Sequence, residues 1–388
     1  MSWRLSVPPA ARPDVSVVLV LHNAWEWSSQ AMQALVDNTP AGSYELIVVD
    51  NDSRDATTHG LDDLSGATVL RNPRNAGFGI ACNQGAVAAR ARHLVFLNSD
   101  ALVHPDWLAP LVEIADGDAS VTAVGARLLN LDGSLQEAGT IVWGDGLVNN
   151  YGDGDDPTRA EYRFVRDVDY VSAACLLVRR AAFVAAGGFD PVYAPAYLED
   201  VDLCFGFKAA GMRVVFQPFA TATHARWASG DRSGTQRLVE RNRPIFRARW
   251  ADALRQRPVY PGVDDRRLFL DARDAACADR VLVVAAEMAD GGDADTVVRV
   301  ACTAAGSDPG STRVTLLSTS GDATAVWVCA LQRGGVEVAC LGPDAEAWLR
   351  ERRHHYSAIA EWTSGSSAPL HAALDRWQPA ATRVGALA

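Results

Sequence analysis

No two of the seven cysteines (Cys82, Cys175, Cys204, Cys277, Cys302, Cys329, Cys340) form a C-x-x-C pair, and an odd, scattered set excludes a zinc knuckle and a disulfide framework. Most sit inside apolar runs, where cysteine acts as a small hydrophobe, which fits a reducing cytoplasm. No apolar stretch approaches the ~18 residues needed to span a bilayer. The opening "MSWRLSVPPAARP" lacks the apolar core of a secretory signal, so any meeting with a membrane is expected to be peripheral. Basic excess is also missing: the net charge is -11, which argues against a sequence-independent hold on nucleic acid. That total still permits a local anion site, because a metal ion or a helix N-terminus can supply positive charge. Repeats, low-complexity tracts and the G-x-G-x-x-G turn of dinucleotide sites are absent as well.

What is present is length and alternation. A chain of 388 residues suits two domains. After a tail at 1–13, "DVSVVLVLH", "YELIVVD", "ATVLRN" and "HLVFLN" read as strands separated by helical patterns. This βαβαβαβ order predicts a doubly wound α/β sheet, whose ligands bind at the carboxyl ends of its strands. Polar residues fall at each such end: His22-Asn23, Asp50-Asn51-Asp52, Arg71-Asn72 and Asn98-Ser99-Asp100. Mixed strands follow in "VTAVGARLLN", "YVSAACLLVRR" and "RVVFQP", and "GLVNNYGDGDDPTRAEYR" reads as a mobile surface loop. Residues 14–256 form the first domain and 257–279 a linker. From Arg280, "RVLVVAA", "RVTLLST", "VEVACL", "YSAIAEW" and "TRVGALA" alternate with helices at 293–306, 323–334, 344–353 and 369–377, a second, smaller Rossmann-like α/β domain at 280–388.

Five stretches could carry chemistry, and each has a plain structural alternative. Asp50 and Asp52 can accept hydrogen bonds from a nucleobase or ribose, or serve as a strand-end turn and cap. Asp100 can bind Mg²⁺ or Mn²⁺, which often take one or two carboxylates plus substrate phosphates, or be a solvated strand end. "YLEDVDLCFGFKAAG" predicts a helix ending near Gly211, with Glu199 and Asp200 at its N-terminus, as a general base aimed into a cleft or as a cap answering the helix dipole. His224 in "ATATHARWASG", read as a loop with Ser229 and Gly230, is a structural histidine or, with Asp100, a metal ligand. Arg74 and Asn75, before a helix carrying Gly77, Gly79 and Asn83, suit a phosphate or sugar hydroxyl, or a turn.

In order, "VSVVLVLHN", "LIVVDNDSRD", "RNAGFGIACNQG", "LVFLNSD…HPDWL", "GGFDPVYAPAYLEDVDLC" and His224 with Ser229 resemble the family 2 glycosyltransferases of GT-A fold, over about residues 14–250. "VDN.S", "GF…N.G" and "LN.D" most resemble the rhamnosyltransferase-like branch. The resemblance implies inverting, metal-dependent transfer from a nucleotide-diphosphate sugar, such as dTDP-rhamnose or a UDP- or dTDP-hexose. The acceptor would be a glycan, a lipid-linked glycan or a small natural product, as in polysaccharide biosynthesis. Carried over by residue, it puts the donor among His22, Asn23, Asp50, Asn51, Asp52, Arg74, Asn75, Gly77, Asn83, Asn98, Ser99 and Asp100. The divalent metal, Mn²⁺ or Mg²⁺, falls to Asp100 and His224. Asp200 matches the base that deprotonates the acceptor, with Glu199 beside it. Asn98 stands where the family's D-x-D has its first acid, and Gly206 near a point where relatives carry arginine. Residues 280–388 resemble the N-terminal Rossmann-like half of a GT-B glycosyltransferase. In such enzymes the other half holds most of the donor, so the resemblance implies a docking or homo-oligomerisation module.

Two further functional classes compete. A degenerate transferase that only binds nucleotide-sugar is favoured by Asn98 and Gly206. A nucleotidyltransferase needs a glycine-rich, basic phosphate loop after the first strand, which "LHNAWEWSS" lacks. A nicotinamide oxidoreductase is disfavoured by the missing glycine fingerprint.

Overall fold

The computed structural model describes residues 3–226, 232–263, 265–285, 294–318, 323, 325–341, 345–362 and 368–384. The chain divides into two compact units: Met1–Asp156 with Asp167–Gln256, and Pro157–Arg166 with Arg257–Ala388.

In the first unit, Val15–Leu21 lies between Tyr44–Asn51 and His93–Asn98, parallel to both. All seven of its residues are buried, as a strand covered on both faces requires. Its one polar member, Ser16, donates to Glu45 Oε1 at 2.6 Å and accepts from the Ala91 amide at 3.1 Å. Thr68–Asn72 extends the parallel part beyond Tyr44–Asn51. On the other side the sheet turns mixed. Cys175–Arg179 runs antiparallel to both His93–Asn98 and Val121–Leu129, and Arg213–His224 lies parallel to Val121–Leu129.

The helix Phe78–Ala88 sits close against this sheet because Gly85 has no side chain. A Cβ there would stand 2.4 Å from Val18 Cγ1. Phe96, Phe183 and Phe189 fill the core beside it, with ring centroids 4.9–5.3 Å apart. Such tilted and edge-on pairs each add about 0.5–1.5 kcal/mol beyond their buried area.

The stretch expected as a mobile surface loop is not one. Val148–Asn150 pairs antiparallel with Thr140–Val142, and Tyr151 and Tyr162 are buried. Its glycines and aspartates make the turns, while its aromatic side chains have apolar surface to bury.

The second unit is a five-stranded parallel sheet in the order Glu337–Cys340, Thr312–Ser318, Asp279–Ala285, Ala358–Glu361, Thr382–Val384. The last expected strand continues into residues outside those described. Residues 257–279, expected as a linker, fold with this unit. Arg266–Arg273 is helical, with the Asp265 side chain accepting from the Arg267 amide and Leu270 fully buried.

A buried ion network organises this unit. Arg352 Nη2 bonds Glu161 at 2.8 Å and Glu337 at 3.1 Å, and all three side chains are about 1 % exposed. Arg273 joins Glu337 to Asp274, which also takes Arg313. Glu161 comes from Pro157–Arg166, so that short segment supplies a charge the unit's interior needs.

Candidate active site

His224 is the last residue of the strand Arg213–His224, not part of a following loop. That strand pairs antiparallel with Ala101–Val103, which sets His224 opposite Ala101. This pairing brings residues far apart in the chain into one site, since Asp100 directly precedes Ala101. His224 Nε2 lies 3.2 Å from Asp100 Oδ1 and 3.1 Å from Asn98 Nδ2. Ser229 and Gly230 lie outside the described residues.

Gln136, which no sequence motif singled out, orients the imidazole. Its Nε2 donates to the His224 carbonyl at 2.8 Å, which turns its Oε1 toward Nδ1 at 2.7 Å. Nδ1 therefore carries a hydrogen, and as a neutral imidazole, the form that binds metal, His224 would present its Nε2 lone pair toward Asp100, with the Asn98 amide as a donor to it. A lone pair and a carboxylate oxygen facing one another repel, and a cation bound between them removes the conflict. Among the described residues no group of three or more His, Cys, Asp and Glu converges as a metal cage. Two protein ligands nevertheless suit Mg²⁺ or Mn²⁺ when a diphosphate supplies further oxygens.

Glu199 and Asp200 open the helix Glu199–Ala209. Asp200 is no N-cap; that position is Leu198, in the left-handed region. Instead Asp200 Oδ2 accepts from the Ala173 amide at 3.1 Å and Oδ1 from Val201 at 2.9 Å. Burial raises its carboxyl above the usual range, with those amides opposing the rise. Such a carboxylate is a stronger base than a solvated one. Burial, and then the Asp200 charge, pushes Glu199 well above the usual range. It packs near Gly79, at the start of the Phe78–Ala88 helix.

The third acid of this helix is an anchor. Asp202 accepts from Tyr193 Oη at 2.9 Å, Trp250 Nε1 at 2.7 Å and Arg249 at 2.6 Å. On the same helix a Cβ at Gly206 would meet nothing within 4 Å, so the missing arginine leaves open space there.

The turn at residues 172–174 links the two halves of the site. The Ala174 carbonyl accepts from the Asn98 amide at 3.0 Å, and the Ala173 amide donates to Asp200. One turn thus connects the strand end preceding Asp100 to Asp200. The sequence reading took this segment as strand; its run of small residues was the one local sign of a turn.

At the neighbouring strand ends on the same edge of the sheet the structure separates open residues from engaged ones. Asp50 Oδ1 accepts from the Ser53 amide at 3.0 Å and Oδ2 meets Arg71 at 3.3 Å, with the side chain 6 % exposed. Asp52, with φ of +66°, is 25 % exposed and is the more open acid. His22 Nδ1 lies 2.9 Å from the Asn51 carbonyl oxygen. Asn23 joins the two strand ends, its amide donating to Ser53 Oγ and its Oδ1 accepting from Arg54. Arg74 is exposed, and Ser99 is buried beside Asp100.

Four of the residues expected to touch the donor also have scaffolding contacts. Asn51 Nδ2 donates to Asn75 Oδ1 at 2.9 Å and to the Gly77 carbonyl, while its Oδ1 accepts from Asn72 and Ala76. Asn75 Oδ1 also accepts from the Gly77 amide. Asn83 brackets Phe189, donating to its carbonyl at 2.8 Å and accepting from its amide at 2.9 Å. Gly77, at φ +93°, lets the chain pass Pro195, whose carbonyl oxygen would lie 2.8 Å from an added Cβ. These motif residues hold the Phe78–Ala88 helix to the approach of the Glu199 helix.

Residues 16–183 match the Glycosyl transferase family 2 model, a span that includes Asp50 and Asp100 and stops before Asp200 and His224. An uncharacterised protein of Sinorhizobium fredii is 30% identical over 239 residues, covering 59% of this chain and 26% of its own. The N-acetylglucosaminyl-diphospho-decaprenol L-rhamnosyltransferase of Mycobacterium tuberculosis is 28% identical over 224 residues, covering 52% of this chain and 73% of its own. A mannosyltransferase structure from Pyrobaculum calidifontis, in complex with GDP-Man and Mn²⁺, aligns with 66% of this chain at 19% identity and a TM-score of 0.45. The chain spans between 18% and 44% of the length of the first curated relatives it matches.

Proposed function

We propose, for a chain that carries a glycosyl transferase family 2 domain, that it moves a sugar from a nucleotide-diphosphate donor to an acceptor hydroxyl with inversion. The observation that carries this reading is the turn at 172–174, which ties the buried Asp200 carboxylate to the strand end beside the Asp100–His224 pair.

Asp200 takes the proton of the acceptor hydroxyl as its oxygen attacks the anomeric carbon. The bond from that carbon to the diphosphate oxygen breaks, and the electron pair leaves with the nucleoside diphosphate. A single displacement with base and leaving group on opposite faces inverts the centre. General base catalysis of this kind contributes about 10²–10⁴-fold. Asp100 and His224 would hold Mn²⁺ or Mg²⁺, which when bound supplies positive charge for the leaving diphosphate. Asp52, the more open of the two aspartates after Tyr44–Asn51, and the exposed Arg74 are the candidates there for base, ribose or phosphate.

The donor we favour is dTDP-rhamnose, on the branch resemblance and the rhamnosyltransferase relative. The acceptor class is a glycan, a lipid-linked glycan or a small natural product. Among the described residues no helix is long and apolar enough to cross a membrane. We place the protein in the cytoplasm, meeting any lipid-linked acceptor at the membrane surface, with the second unit as a docking or oligomerisation module.

A panel of nucleotide-sugars, scored by thermal shift with and without Mn²⁺ and then by product formation, tests the reading. A ligand that binds the folded state raises its stability, by about 2.7 kcal/mol at a hundred times its Kd. dTDP-rhamnose should raise the melting temperature in a Mn²⁺-dependent way, and Asp200→Asn should bind it without turnover. Binding by wild type with neither hydrolysis nor transfer would make the protein a nucleotide-sugar binding module. No shift with any nucleotide-sugar would overturn the donor class.

A further inference from the structure

Beside the base stands a second carboxyl that neither the family match nor the motifs assign. Glu137 ends the short strand Leu135–Glu137, directly after the histidine-orienting Gln136, and is 2 % exposed. Its Oε1 accepts from the Ser172 amide at 3.1 Å, while the next amide, Ala173, donates to Asp200 at the same distance. Two carboxyl groups thus occupy consecutive amides of one turn, in the interior.

We propose that Glu137 is a positioning residue for Asp200, the second carboxyl of a buried pair that carries one negative charge and places it on Asp200. The inference rests on the reading of Asp200 as the base. Two carboxylates this close to one turn and shielded from water do not both ionise readily. Burial raises Glu137 most, the Ser172 amide opposes, and the Asp200 charge raises it again, to about 7. The other groups facing it are few. Arg226 favours its ionised form, while Tyr170 and Cys204, both buried and both raised, stay neutral. Burial and the Asp200 charge push Glu199, the neighbour of Asp200 in the chain, well above the usual range. Around Asp200, then, burial raises all three carboxyls, Glu199 well above the usual range and Glu137 to about 7. A neutral Glu137 leaves the Ala173 amide and the acceptor hydroxyl facing one anion, not two. A merely structural glutamate would fill the same space, so the test must read charge.

The sign follows from linkage. A carboxyl raised in the folded state binds more protons there, so its contribution to stability falls as pH rises from its unfolded value to about 7. The experiment is a double-mutant cycle on the full chain with Glu137→Gln, Asp200→Asn and both, following melting temperature from pH 4.5 to 8.5. If the two carboxyls repel, each single variant removes that repulsion, so the two single losses of pH dependence sum to more than the loss in the double. The expected excess is about 2–4 °C. Additive losses would overturn the proposal. In the pH profile of kcat/KM, wild type should show a step near pH 7 that Glu137→Gln lacks; a step retained in Glu137→Gln would also overturn it.

Should Glu137→Gln not fold, infrared difference spectra of wild type and Asp200→Asn need no change at 137. The carboxyl band that titrates near pH 7 should move to lower pH in Asp200→Asn, and a band that stays sinks the pair. The cycle and the spectra need no turnover. An inactive wild type with the excess intact would overturn the transferase reading, and with it the positioning of a base, while the shared charge of the two carboxyls would still stand.

Discussion

Gln136 grips His224 at two points, donating to its carbonyl at 2.8 Å and accepting at its Nδ1 at 2.7 Å. Both bonds are needed: the first orients the Gln136 amide, and the second then sets which imidazole nitrogen is bare. Gln136→Ala removes both and frees the ring to turn away from Asp100. Loss of such an outer partner costs about 10–100-fold in metal affinity. The half-saturating Mn²⁺ concentration for activity should rise by that range, while saturating Mn²⁺ restores most of kcat. An unchanged metal titration would show that His224 does not bind the ion.

Asn98 tests the metal from the other side. Its Nδ2 donates to His224 Nε2 at 3.1 Å, a bond that an aspartate cannot make to the bare nitrogen. Asn98→Asp should therefore lower the melting temperature without metal, because two carboxylates then face one lone pair. With metal the second acid becomes a ligand, and the half-saturating Mg²⁺ or Mn²⁺ concentration should fall by about tenfold. Activity titrations against both ions, beside melts with and without them, read the two effects separately.

Asn83 separates scaffolding from donor contact. Asn83→Ala leaves the Phe189 amide and carbonyl without their side-chain partner, and Phe189 is fully buried. Each buried group left unbonded costs about 1–3 kcal/mol. Stability in urea should fall by that order, while KM for the donor stays within about twofold. A large rise in KM with stability intact would restore Asn83 to the donor site.

The second unit should be acid-sensitive. Burial alone would raise the Glu161 carboxyl, but Arg352, Arg159 and Arg266 outweigh it and hold it far below the usual range. Asp274 is likewise depressed: Arg273 and Arg313 overcome the effect of its burial. Depressed carboxylates contribute stability above their unfolded values, and that contribution is lost as pH falls through the folded ones. Hydrogen exchange in the Asp279–Ala285 strand should accelerate from about pH 4.5 downward. At neutral pH Glu161→Ala removes one of two carboxylates from a buried guanidinium and should cost about 3–5 kcal/mol in this unit. Exchange there unchanged by Glu161→Ala would mean that the network does not hold the unit together.

Much of the frame was readable before any coordinates. "VSVVLVL", "ELIVVD" and "HLVFLN" are continuous apolar runs, which only strands buried on both faces require, and they form the parallel centre of the first sheet. The helix over 199–209 and its left-handed Gly211 were legible for the same local reason. The loop reading of 146–163 failed because its turn residues dominate the composition, while Tyr151 and Tyr162 reveal themselves only through what they pack against. His224 was assigned to a loop because the bulge between Gln217 and Thr221 breaks the period on which strand reading depends.

The sequence by itself determined which polar groups end which strands, because hydrophobic periodicity is a local property and each strand's end follows from its own residues. Only the tertiary structure decided which of those ends meet. The pairing of 101–103 with 213–224 makes one site of Asp100 and His224, and the turn at 172–174 joins it to Asp200. Strand pairing joins segments distant in the chain, and nothing in a local pattern encodes its partner. Burial decided the rest: which asparagines became scaffold, and which of the acids near the base keeps its charge.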